Sequence, residues 1–159
     1  MAFPSMWTNS VCSHPLHNLN EHADSLTGTK AGAKRRTIDE LNEDLDIEKF
    51  KFVDKIYYKA QCNEFFWEHE VDYIFLLKGN FDEDHVIEFE EREVQDVAWV
   101  AKDDLQSFMD AKTKQGQRFT PWFEHIRIRL LLNNFWNQVI EDKVVELDPK
   151  IVPVRNFNN

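Results

Sequence analysis

FKFVDKIYYKAQCNEFFWEHEVDYIFLL, residues 50–77, decides the architecture. Phe52, Val53, Ile56 and Tyr58 make residues 50–60 a strand, because β-branched and aromatic side chains suit a pleated, half-buried surface. Residues 70–77, EVDYIFLL, form a denser apolar run and read as a second, more buried strand. Upstream, Ile38, Leu41 and Leu45 recur at helical spacing and predict a helix over 32–45, with Asp39, Glu40, Glu43 and Asp44 on its acidic face. Residues 17–30 are small and polar and read as a loop. Downstream, residues 94–101 read as another strand, and Asp103 is placed to cap a short helix through Phe108 and Met109. Thr120-Pro121 opens the longest helix, running to about Ile140, with Trp122, Ile126 and Leu130 on one stripe. Residues 146–159 read as a polar tail. Strands and helices mixed in this irregular order predict an α/β (α+β) domain, a mixed sheet flanked by helices.

The 159 residues are 42% apolar and 13% aromatic, enough for a real core. Formal net charge is −10, which argues against non-specific binding to nucleic acid or anionic membranes. No apolar run approaches the roughly 20 residues of a membrane helix. The opening residues, MAFPSMWTNS, have no basic region followed by an apolar one, so no targeting peptide is expected. Two cysteines, Cys12 and Cys62, without a C-x-x-C pair suit a reducing, cytoplasmic setting better than a disulfide scaffold. Between Asp82 and Asp96 stand eight acidic residues and one basic residue, Arg92, which is the pattern of a solvated edge.

Four constellations could carry chemistry. Residues 3–16, FPSMWTNSVCSHPL, carry no charged side chain apart from the titratable His14. If they are extended, Cys12 and His14 point the same way, as a nucleophilic or acid–base pair or as a metal ligand beside a thiol. A buried cysteine beside a hydrogen-bonded core histidine satisfies the same spacing. Glu68 and Glu70 flank His69 and share a strand face, where two carboxylates either share a proton or bind a hard cation such as Mg²⁺ or Mn²⁺. A solvated strand start is the alternative. Glu40, Glu43 and Asp44 crowd one helix face, either solvated or offset by a metal. Trp7, Tyr58, Trp67 and Trp122 are core aromatics or a π-face for a developing cation.

Taken together, FPSMWTNSVCSHPL, Tyr58-Lys59-Ala60, EHEVDY at 68–73 and TPWF at 120–123 resemble the type I isopentenyl-diphosphate delta-isomerases, a family with the Nudix fold. The resemblance covers roughly residues 3–140 and places the isomerase domain at 1–145. It implies interconversion of isopentenyl and dimethylallyl diphosphate by moving a proton across an allylic system. Cys12, Glu70, Tyr58 and Trp122 match the catalytic residues: a thiol, a carboxylate, the tyrosine beside it, and the indole that shields a carbocation. His14, Glu68 and Glu70 match ligands of a divalent metal, with Mg²⁺ or Mn²⁺ expected and Zn²⁺ as the alternative. Asp44 matches the carboxylate that bridges a second Mg²⁺ to the diphosphate, and Arg35 and Arg36 are the basic groups offered to that diphosphate. In the box R-E-U-x-E-E-x-G-U, residues 39–47 supply D-E-L-N-E-D-L-D-I, which puts Asp46 at the glycine. The resemblance also implies a further N-terminal segment with the first strands and two more histidines, so an N-terminally truncated chain is expected. A catalytically silent isoform and a Nudix pyrophosphohydrolase are the competing functions. Cys12 and Trp122 have no role in the latter.

Overall fold

The computed structural model describes residues 3–19, 21, 26–79, 81, 85–128, 137, 141 and 152–154. Its elements in chain order are β1 (Met6–Trp7), α1 (Thr27–Leu41), β2 (Phe50–Gln61), β3 (Trp67–Leu77), α2 (Leu105–Lys114), β4 (Arg118–Phe119), α3 (Pro121–Ile126) and β5 (Val152–Val154). This is the mixed helix-and-strand fold expected from the sequence.

Strands β3, β2 and β5 form a three-stranded sheet in that order. The five-residue link 62–66 is too short for a crossover, so β2 and β3 run antiparallel as a hairpin. Its turn is closed by Cys62 N–H donating to the Phe66 carbonyl and by Asn63 Oδ1 accepting from the N–H groups of Phe65 and Phe66. Strand β5 pairs in parallel with β2, Ile56 opposite Val152 and Tyr58 opposite Val154. A second, parallel pair sets β1 beside β4, Met6 opposite Arg118 and Trp7 opposite Phe119.

The chain divides into two compact units. The first holds residues 1–9, 55–72 and 98–159; the second holds 10–54 and 73–97. Buried in the first are Phe3, Ile56, Tyr58, Ala60, Met109, Trp122 and Ile126. Buried in the second are Leu41, Phe50 and Val53. The period of two is clean along the end of β2: Ile56, Tyr58 and Ala60 are buried, while Lys55, Tyr57 and Lys59 are not.

Three expectations are corrected. The second strand begins at Trp67 rather than 70, and none of its residues is buried, because β3 is the edge and β2 the centre of the sheet. Phe52 on β2 is exposed and leans on Tyr73 and Phe75 of β3, with ring centroids 5.9 and 6.0 Å away. The first helix spans 27–41 rather than 32–45. It ends because Asn42 turns left-handed, with φ 52°; its N–H returns to the Ile38 carbonyl and that of Glu43 to the Thr37 carbonyl. Residues 94–101 join neither sheet, and Trp99 among them is 60% exposed.

Helix α2 follows a 3₁₀ turn at Lys102–Asp104, so Asp104, not Asp103, stands at its N-cap. Pro121 opens α3 at a position where its missing N–H costs nothing. The expected continuation past Ile128 to Ile140, Asn137 excepted, and the side chains of the 146–159 tail lie outside the described residues. So do Asp82–Asp84 of the acidic run.

Candidate active site

In the first unit, Tyr58 is 1% exposed and aims its hydroxyl at two carboxylates of the neighbouring strand. It donates to Glu68 Oε2 at 2.8 Å and lies 3.5 Å from Glu70 Oε2. The shared face read from the sequence is therefore present: Glu68 and Glu70 are half-buried on one side of β3, while His69 is exposed and pairs with Tyr57 on the other. Burial, then the charges of Asp72, Glu70 and Glu68, push the Tyr58 phenol far above its ordinary range. It stays protonated, so it is a fixed donor to carboxylates rather than a base.

Trp122 covers this group. Its ring lies 5.4 Å from that of Tyr58, tilted by 37°. Phe3 meets the indole edge-on, with ring centroids 5.2 Å apart. The indole Nε1–H donates to Asn9 Oδ1 at 2.9 Å. Thr120, just before the helix, shares a hydroxyl hydrogen bond with Thr8 at 2.9 Å, and its N–H donates to the Trp7 carbonyl at 2.9 Å. The charge-poor stretch at 3–9 thus seats the indole. Sequence reasoning missed Asn9 and Thr120 in this role, although both stand in the segments it singled out. The other two aromatics are elsewhere: Trp67 is half-exposed with Lys59 Nζ at 5.3 Å, and Trp7 packs on Phe108 with Lys112 Nζ at 4.5 Å.

In the second unit, Cys12 and His14 are both exposed and Ser13 between them is turned inward. The alternation holds, and the buried-cysteine, core-histidine alternative is overturned. The acidic face does not gather as one cluster. Glu40 is buried against Arg36, whose Nε donates at 2.7 Å; Glu43 pairs with His85 at 2.7 Å; Asp44, beyond the helix end, pairs with Lys34 at 2.9 Å. Desolvation dominates at Glu40 and raises its carboxyl above the usual range in spite of Arg36. Both candidate guanidiniums are engaged: Arg36 by Glu40 and Glu93, Arg35 by Glu21 and Asp39.

The left-handed residue that a glycine would supply at the end of this helix is Asn42, not Asp46. Moving the box by four residues puts Glu40 where the register from 39 had placed Asp44. A helix that stops at an asparagine rather than a glycine is the signal that would have found it.

Among the described residues, no three His, Cys, Asp or Glu side chains are gathered as a metal-binding group in either unit. Glu68 and Glu70 supply two carboxylates that fit a hard divalent cation, as far as two ligands go.

A fixed phenol donor, two carboxylates and an indole packed on the phenol ring make a candidate site in the first unit of a mixed α/β protein. No family model matches the chain. It is similar to isopentenyl-diphosphate delta-isomerases across 87% of its length: 36% identical to that of Gibberella zeae and 33% to those of Mus musculus and Clarkia breweri. The resemblance read from the motifs is thereby shown over most of the sequence. The chain spans 54%, 61% and 49% of those three relatives, respectively.

Proposed function

We propose that this protein isomerises isopentenyl diphosphate to dimethylallyl diphosphate. The observation that carries the reading is the Tyr58–Glu68–Glu70 group under Trp122, held in a chain similar to named isomerases. Protonating an unactivated alkene needs an acid at one carbon, a base at another, and protection of the cation between them from water. Glu70 is the carboxylate that handles one proton, and the resemblance assigns the other to the thiol of Cys12, which is exposed in its own unit. Tyr58 donates to the carboxylates and orients them. The Trp122 face is worth about 0.5–2 kcal/mol to a neighbouring cation.

Glu68 and Glu70 are offered to a divalent cation, Mg²⁺ or Mn²⁺, with Zn²⁺ the alternative; His14 enters that ligand set by the resemblance alone. When bound, such a cation lowers the proton affinity of Glu70. The second carboxylate site, toward the diphosphate, falls to Glu40 in the register set by Asn42 and to Asp44 in the register set from 39. Of the two arginines, Arg36 is the better diphosphate ligand: each holds two carboxylates, but Arg35 is tied in addition to the Ser13 hydroxyl and the His14 carbonyl. The Nudix kinship of the fold, a cytoplasmic setting, and a small diphosphate as the partner rather than nucleic acid or membrane belong to the same proposal.

The test is to follow the olefinic protons of isopentenyl diphosphate by NMR in D₂O with Mg²⁺. Deuterated dimethylallyl diphosphate is expected, and Cys12→Ala and Glu70→Gln should each abolish it. Phosphate release instead would make the protein a hydrolase. An unchanged substrate over a folded sample would overturn the activity for this chain.

A further inference from the structure

Arg35 faces away from the role that its charge suggested. Its Nε donates to Glu21 Oε1 at 2.9 Å and one terminal nitrogen reaches Glu21 Oε2 at 3.2 Å. That same nitrogen lies 3.3 Å from the His14 carbonyl oxygen and 3.4 Å from Ser13 Oγ. The other terminal nitrogen meets Asp39 one helical turn on, at 3.3 Å. Glu21 is 4% exposed, and its Oε2 also accepts the Leu16 N–H at 2.8 Å. Two atoms of the 13–16 backbone are therefore tied to one ion pair whose carboxylate is buried, the His14 carbonyl through Arg35 and the Leu16 amide through Glu21.

The helix leaves room for this. A Cβ on Gly32 would stand 3.1 Å from Glu21 Oε2 and 3.4 Å from Ser13 Oγ. Such a planar, bidentate fork is a geometry that lysine does not reproduce.

We propose that Glu21 and Arg35 form a positioning clamp that pins Ser13 inward and so turns Cys12 and His14 outward. The inference rests on the functional reading above only for what those two side chains do; the clamp stands on its own contacts. Side chains alternate along extended backbone, so fixing the middle residue fixes both neighbours. A small misplacement of a reacting group can cost on the order of 100-fold in rate. Arg35 on this account acts through the loop and is not a diphosphate ligand.

The test uses Glu21→Gln and Arg35→Lys in the whole chain, with Cys62→Ser so that only Cys12 reacts. Three quantities are read: backbone hydrogen exchange over residues 11–16, the rate of Cys12 alkylation by iodoacetamide, and kcat against KM. Both variants should speed exchange several-fold in 11–16, alter the alkylation rate, and lower kcat roughly tenfold or more with KM little changed. Glu21→Gln is the discriminating variant. It releases the guanidinium, so a diphosphate ligand would show a lower KM and an intact kcat, which would overturn the clamp. Unchanged exchange and alkylation in folded Glu21→Gln would overturn it as well. Should Glu21→Gln fail to fold, Arg35→Lys, which keeps the charge, decides by the same readouts. If the parent chain lacks isomerase activity, exchange and alkylation still decide, so a failure of the clamp and a failure of the function are told apart.

Discussion

Tyr58 shows how far single residues were legible. Alternation put Glu68 and Glu70 on one face of β3, because a period of two survives in any strand, while Tyr58 beside the carboxylate was implied by the resemblance alone. That the phenol would be almost wholly buried, and that Trp122 would lie against it, was not legible, since both depend on elements some sixty residues apart. Tyr58→Phe keeps the ring and removes the donor; turnover should fall by about 10²-fold or more and stability by about 1 kcal/mol, read by steady-state kinetics and urea unfolding. Glu21 invites a pH test. Its hydrogen bond from Arg35 holds its carboxyl below the ordinary 4.5. A lowered folded pKa gives stability that is present above that ordinary value and is lost as pH falls through the folded one. Urea midpoints from pH 6 down to 3 should thus drop more steeply for the parent than for Glu21→Gln, and parallel curves would refute the pairing.

At the level of elements, α1 was seen in the sequence but in the wrong register. Its start, TGTK at 27–30, has no apolar side chain to reveal a periodicity. Its end was hidden because asparagine adopts the left-handed conformation less obviously than glycine does. Asn42→Ala puts an ordinary Cβ at φ 52° and should cost about 1–2 kcal/mol, whereas Asn42→Gly should cost little. Paired urea titrations check this. Gly28 is tighter still: a Cβ there would sit 1.8 Å from the Glu21 carbonyl oxygen. Gly28→Ala should cost about 1–3 kcal/mol by overpacking and loosen the clamp with it, visible as faster exchange over 11–16. The false strand at 94–101 has the matching lesson. Val97 and Trp99 alternate correctly, but alternation cannot tell whether a neighbouring strand is available to pair with.

For the whole molecule, the architecture class could be read from periodicity, while the proposed function rests on the joint occurrence of four motifs. Spacing alone left each of them ambiguous. The carboxylate pair on β3 leads to one prediction for the folded protein as a unit. Mg²⁺ or Mn²⁺ at about 100 times its dissociation constant should stabilise it by about 2.7 kcal/mol, seen as a rise in Tm that chelator reverses. Glu70→Gln should weaken that rise, and an equal rise in the variant would remove Glu70 from the ligand set. Buried Tyr58 has an optical consequence too. Because its phenol ionises only far above the ordinary range, it stays dark in the ultraviolet band of tyrosinate while the fold is intact. Alkali strong enough to open the structure would release it in one late absorbance step, so the protein carries its own dye for its alkaline unfolding.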